Sequence, residues 1–174
     1  MLIPQLETQR LILRGFRQQD FDAYAQMCAD PEVMRYIGDG TTLSRQQSWR
    51  NMALMLGHWQ LRGYGMWAVV ERQSGEMIGR IGCWQPEGWP GFEVGWMLQR
   101  THWGCGLATE GATAAMDYTF RELQQSHVLS LICPENTASI RVAQKLREKL
   151  EGTTKIFSRE VLIYGICRED WERI

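Results

Sequence analysis

Between Phe92 and Tyr118 the chain changes its period. Phe92 to Leu98 has the apolar run of a strand, and Leu107, Gly111, Ala114, Ala115 and Tyr118 then recur at helical spacing. Gly104-Cys105-Gly106 separates the two patterns. Val128 to Cys133 resumes as a strand. A strand, a tight glycine turn, a helix and another strand call for a sheet with a helix laid on its face and a parallel crossover at this point. The glycines let the chain turn and bring successive N–H groups close together. The first turn of a helix leaves those groups unpaired, so they and the helix dipole converge on one place that suits a phosphate. The spacing is neither the dinucleotide GxGxxG nor the GxxxxGK[ST] of ATP-type loops. On the loop alone, a phosphate nest and a bare strand-to-helix turn both remain open.

The rest of the chain supplies the other elements. Leu11 and Leu13 alternate in a first strand, Arg10 to Arg14. Phe21, Tyr24 and Cys28 are spaced for a helix, and Asp30-Pro31 reads as a cap followed by proline at the first helical position. Ser44 with Gln47 forms a capping box for a helix to about Leu61, with Trp49, Met52, Leu56 and Trp59 on one face. Met66–Glu71 and Met77–Trp84 are strands joined by a turn at Ser74-Gly75, and Gln85 to Gly91 is a loop. Asn136-Thr137 opens another helix, with Ile140, Ala143, Leu146 and Leu150 on one side, and Glu160 to Cys167 is a final strand. Three consecutive strands suggest an antiparallel meander. The expected fold is α/β (α+β), a mixed and mostly antiparallel twisted sheet of six to seven strands with helices on both faces.

Composition narrows the function classes. The 174 residues carry 19 Lys+Arg against 20 Asp+Glu, which supplies no broad basic face for nucleic acid. The length suits one domain, residues 1–174, and no linker or repeat divides it. No run of 18 apolar residues provides a spanning helix, and Met1 to Glu7 is too short and polar for a signal peptide. Cys28, Cys83, Cys105, Cys133 and Cys167 are odd in number and form no CxxC pair. They read as free thiols in a reducing compartment, so a cytoplasmic location is expected. His58, His102 and His127 form no cluster, and no metal site is expected.

Trp103-Gly104-Cys105-Gly106-Leu107-Ala108-Thr109-Glu110 resembles the acyl-CoA loop of the GCN5-related N-acetyltransferase superfamily. More narrowly, it is similar to W-G-x-G-x-A-T-E of the branch that contains the ribosomal-protein alanine N-acetyltransferases. Glu7-Thr8-Gln9-Arg10-Leu11-Ile12-Leu13-Arg14 resembles that branch's opening strand, and Glu93-Val94-Gly95-Trp96 its fourth strand. Asn136 to Leu146 resembles its N-x-x-S helix, and the tail from Glu151 through Gly165 also matches. The resemblance covers nearly the whole chain in the correct order.

The resemblance implies acetyl-CoA as cofactor, wedged where the fourth and fifth strands (Phe92–Leu98 and Val128–Cys133) splay apart. Its pyrophosphate would rest on main-chain N–H groups of His102, Trp103, Gly104, Cys105, Gly106, Leu107 and Ala108. Pantetheine would lie along Met97, Leu98 and Gln99, with an N–H near Leu98 polarising the thioester carbonyl. Asn136 resembles a residue that holds the pantetheine arm. Ser139 resembles one that donates to the leaving thiolate, with Tyr164 as its rival. Read as residues alone, Asn136 and Ser139 are equally well caps of a helix. Glu93 resembles the strand-four glutamate that serves as base toward the acceptor amine. Its alternative is an ordinary ion pair or a solvent-facing side chain. Glu110 reads as structural, favoured by the helix dipole, and His102 as a loop residue. The family's Gln or Arg three residues before the first glycine is replaced by Thr101, with Arg100 beside it.

A second departure follows Leu146. The family's glycine is replaced by Arg147-Glu148-Lys149-Leu150, all good helix formers, so the helix is expected to reach Leu150 and stop near Gly152. The implied activity is transfer of an acetyl group to a primary amine by direct attack in a ternary complex. The acceptor is a protein N-terminus or a small metabolite, with no direct nucleic acid, no membrane, and a monomer or homodimer as the working unit. Trp84, Trp89 and Trp96 are either core residues or the walls of an acceptor pocket. Arg14, Arg17, Arg35, Arg45 and Arg50 would supply a basic rim for a ribosome-bound substrate, though acidic residues interrupt them. The alternative function is a catalytically inactive acyl-CoA-binding or regulatory domain of the same fold. A nicotinamide enzyme fails on glycine spacing.

Overall fold

The computed structural model describes residues 2–173. The chain opens with strands β1 (Leu6–Glu7) and β2 (Leu11–Arg14), then helices α1 (Phe21–Ala29), α2 (Pro31–Met34) and α3 (Arg45–Arg62). Strands β3 (Met66–Glu71), β4 (Met77–Trp84) and β5 (Glu93–Leu98) follow, then α4 (Leu107–Arg121), β6 (His127–Ile132) and α5 (Thr137–Lys145). A hairpin of β7 (Lys149–Ile156) and β8 (Arg159–Cys167) leads into the short α6 (Arg168–Trp171). The strands form one eight-stranded sheet in the order β1-β2-β3-β4-β5-β6-β8-β7. Every neighbouring pair is antiparallel except β5 and β6. The parallel pair brackets α4, as the change of period required.

Alternation along the strands feeds two cores on opposite faces. On β3, Trp67 and Val69 join Ala112, Ala115, Met116 and Phe120 of α4. Met66 and Ala68 join Tyr24 and Cys28 of α1 with Met52 and Met55 of α3. The capping signals are realised. Ser44 accepts from the Gln47 N–H while Gln47 accepts from the Ser44 N–H, and Asp30 accepts from the Glu32 N–H ahead of Pro31. Among the described residues no helix is long and apolar enough to cross a membrane.

The expected extension of the helix after Asn136 is corrected. α5 ends at Lys145, and Arg147 takes a left-handed conformation at φ 62°. The Arg147 N–H donates to Gln144 O and the Glu148 N–H to Ala143 O, both at 3.0 Å. This pair of bonds is a Schellman termination, in which the left-handed position ordinarily belongs to glycine. Tertiary packing overrides helix propensity here. Glu148 must turn inward, where it is 4% exposed, and Leu150 becomes an exposed residue of β7. The count of strands also exceeds expectation. β1 is too short to show a period, and β7 is largely polar and exposed, so neither carries a hydrophobic alternation.

Candidate active site

β5 and β6 share one register pair, Glu93 with Leu129, and then diverge. The Gln99 N–H donates across to Ile78 O of β4 at 2.8 Å. By strand alternation the main-chain groups of Trp96 and Leu98 therefore face the opposite way, into the gap beside β6. α5 covers that gap. The Trp96 indole donates to Ser139 Oγ at 3.1 Å, leaving the hydroxyl proton of Ser139 free to donate elsewhere. Asn136 caps α5 by accepting from the Ser139 N–H at 3.1 Å, which uses its carbonyl oxygen and leaves its amide NH2 unspent.

The glycine loop closes one end of the gap. Gly104 and Gly106 have φ of 76° and 81°, a conformation that side chains disfavour. Gly106 is the N-cap of α4, and no side chain caps that helix. The first-turn N–H groups of α4 accordingly remain open on a cavity of about 440 Å³. Leu98, His102, Trp103, Gly104, Gly106, Leu107, Ala108, Asn136 and Ser139 line it. The Trp103 indole donates to Leu98 O at 2.8 Å and ties the loop to the strand end. On the outer side Arg10 Nη1 donates to Cys105 O at 2.9 Å, and Arg10 Nε pairs with Glu110 at 2.6 Å. Partial burial works against the Glu110 charge, but bonds from Thr8 and Arg10 outweigh it and hold the carboxyl below its ordinary range. An uncapped helix start, two left-handed glycines and an unpaired strand edge on one cavity fit a long anionic cofactor with an amide-bearing arm.

A second cavity of about 530 Å³ adjoins the first, with Tyr36, Ile37, Trp96, Met97, Asn136 and Ser139 common to both. Trp84, Trp89 and Trp96 all line it. So does Glu93, whose Oε2 accepts from the Trp89 indole at 2.7 Å. Burial pushes the Glu93 carboxyl up to about 7, although the Trp89 bond, the Leu131 N–H and the nearby Arg80 charge all work in the other direction. The tip of the β7–β8 hairpin overhangs this cavity. Phe157 and Ser158 both take left-handed φ there, and the Phe157 ring lies 6.4 Å from the Trp89 ring.

Two expected site residues lie elsewhere. Tyr164 is buried against Ile132 and Ala143 and lines neither cavity. Gln99 turns its main chain to β4 and its amide to Met77 O, at 3.1 Å. The Cys105 side chain is exposed, while its main chain stays within the glycine loop. The basic rim loses Arg14, which is buried and forms a two-armed pair with Asp20 at 2.7 and 2.8 Å, while Arg45 is paired with Asp22.

Two polar groups, the buried Glu148 and the half-buried Arg80, escaped the sequence reading. Glu148 lies beneath β6, and burial pushes its carboxyl up to about 8. The Ser130 bond opposes that shift, and the charges of Glu93 and Glu151 add to it. Ser130 Oγ lies 2.8 Å from Val94 O and 2.9 Å from Glu148 Oε1. One hydroxyl proton cannot serve both acceptors. A protonated Glu148 resolves this by donating to Ser130, which donates onward to Val94. The other residue is Arg80, a lone cation within the apolar strand Met77-Ile78-Gly79-Arg80-Ile81-Gly82, and that isolation was the available signal.

The chain matches the acetyltransferase (GNAT) domain family over residues 10–147. It is similar to the Bacillus subtilis protein YkkB, with 33% identity covering 92% of this chain and 94% of that one. It is also similar to the uncharacterized N-acetyltransferase p20 of Bacillus licheniformis, with 31% identity covering 95% and 97%. Among solved structures, the acetyltransferase from Agrobacterium tumefaciens superposes with a TM-score of 0.84 at 30% identity, over 95% of both chains. The splayed strands, the uncapped loop and these likenesses agree, and the chain belongs to the GNAT family of acetyltransferases.

Proposed function

We propose that this protein is an N-acetyltransferase, a single acyl-CoA N-acyltransferase domain that passes an acetyl group from acetyl-CoA to a primary amine by direct attack within a ternary complex. The observation that carries this reading is the meeting of two cavities at Trp96 and Ser139, one walled by the glycine loop and the other by Glu93.

Acetyl-CoA supplies an acetyl thioester activated toward amines. The loop amides from His102 through Ala108 bind its diphosphate at the start of α4. The free edge of β5 pairs with the pantetheine arm, and the amide NH2 of Asn136 holds it from the other side. The Leu98 N–H polarises the carbonyl that is attacked. Ser139 donates its hydroxyl proton toward the departing sulfur, with the Trp96 indole fixing its oxygen. Glu93 takes the proton that the acceptor ammonium must lose. A carboxyl held near neutrality by burial is basic enough to accept that proton and is deprotonated above pH 7.

Calorimetric titration with acetyl-CoA, with NAD as control, tests the cofactor half. Saturable binding of acetyl-CoA alone is expected. Folded protein that binds neither overturns the reading. A screen of amines and N-terminal peptides for acetyl transfer then separates an enzyme from an inactive acyl-CoA-binding domain, which would bind the cofactor and acetylate nothing.

A further inference from the structure

We infer that the acceptor is an α-amino carboxylate with an apolar or aromatic side chain, recognised through its carboxylate by Arg80. This inference rests on the acetyltransferase reading and specifies its substrate.

Arg80 projects from β4 into the second cavity. Among the described residues no carboxylate lies within ion-pair distance of its guanidinium, and its Nε is buried without a hydrogen-bond partner. Arginines are rarely left so. A buried donor without an acceptor is costly, and the guanidinium fork is shaped for a carboxylate. Arg14, which is buried beside this sheet, has its carboxylate in Asp20. Arg80 has none among the described residues.

The register places this cation within reach of the reacting centre. Arg80 pairs with Met97, next to the Leu98 main chain, and Trp84 pairs with Glu93. Between those two rungs stand Gly82 and Gly95, also paired, which bring no side chain of their own and leave room for the Met66 methyl and the Glu93 carboxyl over Gly95. The Arg80 charge acts on Glu93, Tyr24 and Cys28, which places its head inside the cavity instead of in solvent. An α-amino acid carries its amine and carboxylate on one carbon. Its carboxylate on Arg80 sets the amine beside the shared wall of the two cavities, within the field of Glu93. The remaining volume is bounded by Trp84, Trp89, Phe157 and Met66 and accepts an apolar side chain. A protein N-terminus offers an amide in the position of the carboxylate, and that amide cannot neutralise Arg80.

The test compares L-phenylalanine, L-phenylalaninamide and a dipeptide with phenylalanine at its N-terminus as acceptors for the wild type and Arg80→Met. The free amino acid is expected to be preferred in kcat/KM by about 10- to 100-fold, the worth of a charge-assisted pair. Arg80→Met should erase that preference and bring acid and amide to within about twofold of each other. Equal use of amide and acid by the wild type overturns the inference, as does an equal loss for both in the variant. Transfer to amines without a carboxylate, with none to amino acids, overturns it while leaving the acetyltransferase reading intact. Calorimetric binding of L-phenylalanine in the presence of CoA reads the inference without turnover. Wild type is expected to bind and Arg80→Met not to. No binding to wild type that still binds acetyl-CoA also overturns it.

Discussion

Glu110 accepts two hydrogen bonds from Arg10, 100 residues earlier in the chain: one from its main-chain N–H at 2.8 Å and one from Nε at 2.6 Å. The Thr8 hydroxyl adds a third at 2.6 Å. The opening strand and the end of the glycine loop are two sequence motifs that fold into one fixture. Glu110→Ala removes all three bonds. We expect a loss of about 1–3 kcal/mol by urea unfolding, given the partial exposure of Arg10. Acetyl-CoA binding should weaken with it, because Arg10 also anchors the Cys105 carbonyl. Unchanged affinity by calorimetry would make the fixture purely structural.

In its proposed role as base, Glu93 acts only when deprotonated. With its carboxyl at about 7, kcat/KM should rise with pH through that value and then level off. Glu93→Gln should remove this limb and lower the rate by about 100-fold or more. A profile of unchanged height and shape would transfer the proton to water.

Ser139→Ala should lower kcat by about tenfold while the calorimetric affinity for acetyl-CoA stays within about twofold, as the proposed donation to the departing sulfur requires. Equal turnover would reduce Ser139 to a rest for the Trp96 indole.

Glu148 makes stability depend on pH. Its folded carboxyl, at about 8, lies above the ordinary 4.5. Between those values the folded state holds a proton that the unfolded chain has released. Stability is therefore full at low pH and falls as pH rises, by about 1.4 kcal/mol per unit for this group alone. Glu148→Gln keeps a donor to Ser130 and removes the titration. Its stability relative to wild type should be near equal at pH 4.5 and clearly greater at pH 8. Parallel thermal-melting curves across that window would contradict a buried neutral acid.

Arg147→Gly relieves a left-handed conformation that a side chain disfavours. A gain of roughly 0.5–1 kcal/mol is expected in urea unfolding, after allowing for the looser unfolded chain. Destabilisation would mean that the Arg147 side chain supplies a compensating contact.

What the sequence disclosed tracks what is periodic or capped. The change of period around Gly104 located the crossover, Ser44 with Gln47 located the start of α3, and both follow from local physics. The end of α5 did not. Arg, Glu, Lys and Leu all favour a helix, and only the inward pull on Glu148 against Ser130, a contact between distant positions, ends it. The glycine turn ahead of α4 was legible because a left-handed backbone leaves glycines in fixed places. The acceptor half of the site was not. It depends on Gly82 facing Gly95, a property of strand register, and on Arg80 lacking a carboxylate among the described residues, a property of tertiary packing.

The single rung between β5 and β6 gives the sheet a seam. Five strands lie on one side and three on the other, and along most of the seam no ladder transmits strain between them. A ligand arm that hydrogen-bonds to the free edge of β5 restores the missing rungs for as long as it stays. Amide hydrogen exchange at Trp96 and Leu98 should slow when the arm is present and recover when the product leaves. On this view the strand completes itself once per catalytic cycle with a borrowed, non-peptide neighbour.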